Sequence, residues 1–324
     1  MLLSRVADAL YWIGRYLERA EHVARVIDVR LDLGLDRRAG GGWDFAALYT
    51  SLGLTGPEAP PATPTELVDR SIFDLANRES VVACVISARE NARQVREEIS
   101  SDMWEHLNGL FLRLKEARAE GTWNTRPHYL SRLIIEGVHL FQGITDSTMG
   151  HGEGWQFLQI GRFLERAGAT AELIDFHFRD EAISAAPATA AIPSPRTQIA
   201  LAGLLRSCSA LESYCRVYTA NLRADQIAEF LLLNSDFPHS VRFAAECVES
   251  SLGLVAQHSP RGLGGRVERL AGRLHASLDY GQVDEILSDN PHRFLDGIAR
   301  QCQQIHNAVH QTYIAYPIET AIPA

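Results

Sequence analysis

No CxxC pair occurs in this chain, and its five cysteines, at 84, 208, 215, 247 and 302, form an odd and scattered set. Such a set reads as reduced thiols inside helices, in a reducing compartment. Cys208 and Cys215, seven apart, are expected on one helix face two turns apart, too far to bond each other. Basic excess is also missing: 31 lysines and arginines stand against 40 acids in 324 residues, a formal charge of −9. A duplex-binding protein carries a basic footprint, so nucleic acid is disfavoured. No uncharged apolar run approaches the ~20 residues that a spanning helix needs, so no membrane association is expected. The opening Met1-Leu2-Leu3-Ser4-Arg5-Val6-Ala7-Asp8 brings in charge at once, with no small-residue cleavage site behind it, and the chain is expected in the cytoplasm. Nucleophile elbow, P-loop, dinucleotide fingerprint and zinc-protease helix are all absent, so an enzyme here would use none of the common local signatures.

What the chain does have is helical period. Hydrophobic residues make up 46%, ample for a packed core. Leu10, Ile13, Leu17, Ala20, Ala24, Ile27 and Leu31 alternate steps of three and four and draw one apolar stripe, which Gly34 and the Ala39–Gly42 run end. The spacing predicts further helices over 43–52, 78–100, 102–120, 127–148, 154–182, 196–222, 224–233, 239–257, 263–277 and 291–316. Residues 53–66 and 183–195, rich in proline, alanine and small polar residues, read as loops. Period-two runs bounded by turns are missing, so an all-α fold is expected.

Ile13-Gly14-Arg15-Tyr16-Leu17-Glu18-Arg19-Ala20 returns, with one change, as Ile160-Gly161-Arg162-Phe163-Leu164-Glu165-Arg166-Ala167, 147 positions later. The match continues through Ala24 with Ala171, Ile27 with Ile174 and Asp28 with Asp175, while Glu21 and His22 give way to Gly168 and Ala169. A shared hydrophobic period does not require the same glycine, Glu-Arg pair and aspartate. Ser80-Val81 and Ser240-Val241, each near a helix start, are a weaker echo. Their oxygens are placed to satisfy an orphan N–H. Two tandem, pseudo-symmetric helical bundle units, 1–150 and 151–324, are therefore expected to pack together.

The repeated polar residues admit two readings. Arg15 and Glu18, three apart, suit a solvated ion pair along one helix, worth about 0.2–0.5 kcal/mol, with the glycine permitting close packing. Alternatively, both motifs flank one cleft. Arg15, Arg19, Arg162 and Arg166 then bind a ligand carboxylate or orient the glutamates, and Glu18 and Glu165 hold an amine or order the arginines. Asp28 and Asp175 are expected to brace helices. Arg89, Arg93 and Arg96 share a face suited to a phosphate or carboxylate, or to plain salt bridges with neighbouring glutamates. Glu136-x-x-His139 has no second copy, as a di-iron bundle requires, and no metal is expected.

Leu3 through Glu21 resembles the opening of the bacterial Alpha-E domain family, an all-helical family named for its Glu-Arg motif. Thr148-Met149 followed by Gly154-Trp155 through Ala167 is similar to its second signature. Ala88–Arg93 through Met103-Trp104-Glu105, and Glu229–Asn234 through Phe237–Val241, resemble further family blocks, so the likeness covers nearly the whole chain in order. One departure is the segment Gly150-His151-Gly152-Glu153. Where the family tends to carry a basic and an acidic residue, His151 is the stand-in, with a charge that depends on pH.

The resemblance implies a circularly permuted ATP-grasp ligase as partner, with a transglutaminase-like peptidase and a proteasome-like peptidase also associated. The ligase itself supplies ATP and magnesium, so no cofactor is expected here. The expected role is a non-catalytic component that binds a peptide- or amino-acid-like ligand between the two units. Enzymatic acyl or amide transfer, with Glu18 or Glu165 as a general base raised by burial, and a pure scaffold remain alternatives.

Overall fold

The computed structural model describes residues 2–35, 45–54, 59–121, 126–180, 183, 194–218, 220–258 and 264–315. Among these there are fourteen α-helices and no strand. The first, α1 (Ser4–Leu35), is 32 residues long and spans about 48 Å at helical rise. Its predicted stripe is buried from Leu10 to Ile27 and partly buried at Leu31, and Tyr11, Val23 and Val26, which lie off it, are buried too. Another long helix lies against α1: α7 (Glu153–Phe178), itself buried on almost every side.

Between them come α2 (Phe45–Ser51), α3 (Pro64–Val68), α4 (Val81–Gln94), α5 (Ser101–Ala119) and α6 (Pro127–Thr148). Local chemistry sets their starts. The Ser80 and Ser100 side chains accept from the backbone N–H groups of Ala83 and Met103, which would otherwise be orphaned. After α7 follow α8 (Pro195–Ser207), α9 (Leu211–Tyr218), α10 (Ala224–Leu233), α11 (Val241–Gln257), α12 (Gly265–Asp279), α13 (Val283–Asp289) and α14 (Pro291–Val309), which runs into a wider turn over His310–Ile314. Ser240 caps α11 through Phe243 N–H, and Asn290 caps α14 through Arg293 N–H.

Helices α4 and α6 pack on α1, and α5 bridges them. Helices α11 and α14 pack on α7, and α12 bridges those. The buried apolar side chains of both groups join in one continuous cluster through the α1–α7 contact. All five cysteines are free thiols.

Several boundaries differ from expectation. The helix read over 196–222 is two helices, because Ser209 takes φ 53 and turns the chain after Cys208. Cys208 and Cys215 therefore do not share a helix face. The loop read over 53–66 ends earlier, since Thr63 caps α3 by accepting from Glu66 N–H and Pro64 opens it. The helix read over 78–100 stops at Gln94, where Val95 leaves the helical region at φ −124. Helix α13 was not anticipated. The glycine run at 39–42 and nearly all of the 183–195 loop lie outside the described residues.

Candidate functional site

The two repeated glycines meet the other helix's backbone. A Cβ on Gly14 would fall closer than 3.0 Å to the Leu158 carbonyl oxygen, and one on Gly161 closer than 3.0 Å to that of Tyr11. Each helix thus uses its glycine to admit the main chain of its partner, which is why the position resists any side chain. The close approach puts the neighbouring Glu-Arg residues within reach across the crossing.

They pair there reciprocally. Glu165 accepts from Arg15 Nε at 2.6 Å and from Arg19 Nε at 2.6 Å, and Arg19 Nη2 adds a third bond at 3.1 Å. Glu18 accepts from Arg166 Nε at 2.5 Å and Nη2 at 2.8 Å, while Arg162 stands 3.7 Å away. Gln142 on α6 links this side by accepting from Arg162 at 2.9 Å and donating to Glu18 at 3.5 Å. Glu18 and Glu165 are 2% and 8% exposed, so these are interior ion pairs. The expected Arg15–Glu18 pair along one helix is not what forms: each glutamate is clasped by arginines of the opposite helix. Burial pushes the Glu165 carboxyl up, but Arg15 and Arg19 outweigh it and hold it at about 2. The expectation of a burial-raised general base therefore fails for Glu165, because the guanidiniums stabilise its charged form. Burial disfavours charge on Arg166 too, and the Glu18 carboxylate more than offsets it, so its net shift is upward.

Further groups fix the crossing. Tyr11 Oη contacts Arg15 at 3.3 Å and His306 Nδ1 on α14 at 2.8 Å. Arg166 Nη1 donates to the Pro238 carbonyl at 3.0 Å, holding the turn before α11. Asp28 meets His128 Nδ1 at 2.8 Å, and Asp175 meets His292 Nδ1 at 2.6 Å. Both histidines follow the proline that opens their helix, α6 and α14, so each aspartate ties a long helix to the first turn of a neighbour.

A cavity of about 320 Å³ opens on one side of the crossing, between α1, α2, α7 and α14. Arg15, Arg19 and His22 line it from α1, and Glu165, Gly168 and Glu172 from α7. Glu79, which pairs with Arg19, closes one wall, and the Cys302 thiol, pushed up to about 12 by burial, sits on another. Glu172 is exposed into the cavity, yet protein surrounds it on most sides. That loss of hydration, followed by the nearby Glu165 carboxylate, pushes its carboxyl up to about 7. A second cavity of about 650 Å³ shares Ser51, Gly53, Glu172 and Ala299 with the first and runs past Asp175 and Asp296.

Of the residues singled out in the sequence, Arg15, Arg19 and Glu165 line this cavity, while Glu18, Arg162 and Arg166 occupy the other side of the crossing. Three candidates lie elsewhere. Arg89 donates to Asn108 at 2.7 Å and stacks over Trp104 and Phe111. Arg93 pairs with Glu90 on an exposed face at 2.6 Å. His151 is exposed, stacks on Trp155 with ring centroids 4.3 Å apart and meets the Asp146 carbonyl at 3.2 Å. His139 faces Glu21 and Arg25. No group of three or more metal-ligating side chains occurs among the described residues. Sequence reasoning missed Glu172, Glu79, Gln142 and the two histidine braces. The paired Pro-His dipeptides at 127–128 and 291–292 were a visible signal for the braces.

A family model described as a predicted alpha-helical domain with a conserved ER motif, Alpha-E, matches residues 2–314. The chain belongs to the Alpha-E family. Among the relatives of this Alpha-E chain are an uncharacterized protein of Mycobacterium bovis and one of Mycobacterium tuberculosis strain CDC 1551, each 23% identical over 348 residues, and one of strain H37Rv, 22% identical over the same length. The alignments cover 97% of this chain and 37% of each relative, so the Alpha-E chain spans little more than a third of those proteins. No solved structure matches it significantly. Glu-Arg pairs stand in this chain at 18–19 and 165–166, and these are the residues that clasp each other across the α1–α7 crossing. Among the described residues no helix is long and apolar enough to cross a membrane.

Proposed function

We propose that this Alpha-E chain is a non-catalytic binding component of an ATP-grasp-linked peptide synthesis or processing system, and that it takes a peptide- or amino-acid-like ligand in the cavity beside the α1–α7 crossing. On this reading 1–150 and 151–324 are two pseudo-symmetric units joined by their Glu-Arg helices. The observation that carries it is the charged cavity itself. Arg15, Arg19 and Glu165 present fixed, oppositely charged groups to a space in the ~300–1,000 Å³ range typical of small-ligand sites. Because Arg15 and Arg19 are committed to Glu165 and Glu79, the arginines order those glutamates, and the free capacity of the site lies with Glu172 and His22. The partners are a circularly permuted ATP-grasp ligase and the associated transglutaminase-like and proteasome-like peptidases, in the cytoplasm. The longer mycobacterial relatives suit a unit that works beside other domains.

The test is purification from a native host, with mass spectrometry of bound small molecules and proteins. The reading expects an amino-acid- or peptide-like ligand and the ligase to travel with the wild-type chain. It also expects the small molecule to be lost from Ala169→Trp, which fills the cavity from α7. A chain that carries no small molecule, and whose filled variant still captures the ligase and supports its product, is a scaffold. A second reading, acyl or amide transfer, is favoured by one observation: Glu172, at about 7, is poised for proton transfer. Turnover by the purified chain without ligase, abolished in Glu172→Gln, would select it.

A further inference from the structure

The two sides of the crossing hold the same clasp but are furnished differently beyond it. On the Glu18 side, Glu21 is buried and receives Arg25 Nε at 2.8 Å, and this ion pair fills the space next to Arg162 and Arg166. Positions 147 residues later on α7 carry Gly168 in place of Glu21 and Glu172 in place of Arg25. The carboxylate that would fill the space is gone, and where a guanidinium stood there is now a carboxylate. The cavity is what results. Space is also left for a side chain: a Cβ on Gly168 would meet nothing closer than Cys302 Cβ at 3.8 Å.

The charges agree with the shapes. Arg15 and Arg19 face Glu165 and Glu79, two against two, and Glu172 adds a carboxylate with no ion-pair partner among the described residues. With Glu172 ionised the lining has one unbalanced negative charge. The space left by the missing ion pair is next to that charge, and the larger cavity leads outward from Glu172.

We propose that the cavity binds a ligand through a guanidinium or primary ammonium group placed on Glu172, where Arg25 sits on the opposite side of the crossing, with the remainder of the ligand extending past Asp175 and Asp296. The recognised class is thus an arginine- or lysine-type side chain, or the free amine of a peptide. This rests on the reading that the cavity is a ligand site, and it specifies which end of the ligand enters.

The test is calorimetric titration of the full chain at pH 8 with agmatine and with putrescine, against butylurea as a neutral probe and N-acetylglutamate as an anionic one. Agmatine or putrescine is expected to bind, and the ratio between them tells guanidinium from ammonium. Glu172→Gln is expected to weaken that binding by about tenfold or more, the size of a lost charge-assisted hydrogen bond. The double variant Gly168→Glu with Glu172→Arg rebuilds the internal ion pair. It is expected to bind neither cation while melting no lower than the wild type. Equal cation binding by wild type and double variant overturns the proposal, as does cation binding that ignores Glu172→Gln. Binding of butylurea or N-acetylglutamate, but not of the cations, by the wild type and not the double variant overturns the cation assignment and leaves the ligand reading standing. Binding of no probe also overturns it, and the ligand reading is then decided by what the native-host purification carries.

Discussion

Glu165 is an interior carboxylate that stays charged because Arg15 and Arg19 both donate to it, and such a clasp is costly to break from one side. Removing one member of a buried pair leaves the other charge uncompensated, typically at about 3–5 kcal/mol. Glu165→Gln is expected to lower the urea unfolding free energy by about that amount at pH 7. The pH dependence follows from the depressed acid. An unfolded glutamate titrates near ~4.3 and the folded Glu165 at about 2, so its contribution is complete above the first value and is lost as pH falls through the second. The gap between wild type and Glu165→Gln should be constant above about pH 5 and should narrow from there down to pH 2. A gap that stays constant through acid would mean the clasp does not stabilise the fold. Glu172 has the opposite sign. Its acid is raised to about 7, so in the ligand-free protein the fold loses stability as pH rises from the unfolded value near ~4.3 to about 7, and no further above it. Glu172→Gln should therefore melt with the wild type at about pH 3.5 and increasingly above it up to about pH 7, with a constant gap beyond, as read by calorimetry.

At the scale of the helix, the α1–α7 crossing depends on two hydrogen atoms standing where methyl groups would be. Gly14→Ala and Gly161→Ala each drive a Cβ into a backbone carbonyl that cannot rotate away. The helices must separate, which stretches the Glu-Arg bonds as well as the packing. A loss of roughly 2–3 kcal/mol each is expected, the upper range for overpacking, even though alanine is the better helix former. Thermal melts would check this, with Gly109→Ala in α5, where a Cβ meets nothing within 4 Å, as the control that should not destabilise. Helices of this kind were legible in the sequence because a three-four period over many turns has few other solutions. What period could not reveal was the second buried face of α1. Tyr11 is off the stripe, and its hydroxyl is met by His306, 295 residues further along the chain, at 2.8 Å. The break at Ser209 was hidden because apolar residues continue in phase on both sides of it. The pairing of Glu18 with Arg166 was equally out of reach: Arg15 lies three residues from Glu18, and only the crossing geometry turns each glutamate to the opposite helix. The cavity was half legible. Gly168 and Ala169 stand out in the sequence as departures from the first copy, but Glu172, four residues after Gly168, takes its meaning from facing Arg15 and Arg19 in space.

At the scale of the whole molecule, the clasp joins the two halves that the repeat proposes. Helices α4 and α6 pack on α1 with α5 behind them, and α11 and α14 on α7 with α12 behind them, yet no gap in the apolar core separates the two groups. Either half alone would expose the apolar face of its first helix and leave arginines and a glutamate without partners. Fragments 1–150 and 151–324, divided in the turn between α6 and α7, are therefore expected to be poorly folded when made separately and to form a one-to-one complex when made together. Size-exclusion chromatography with circular dichroism on each fragment and on the co-expressed pair checks this. The same complex isolates the clasp from the rest of the fold. Glu165→Gln in the second fragment removes the carboxylate charge that Arg15 and Arg19 share, without touching the apolar contacts. Its loss of about 3–5 kcal/mol should appear as a dissociation constant weaker by roughly two to four orders of magnitude. Two fragments that fold independently and ignore each other would instead mean that the crossing is a late contact between finished domains, with the Glu-Arg clasp ornamental to both.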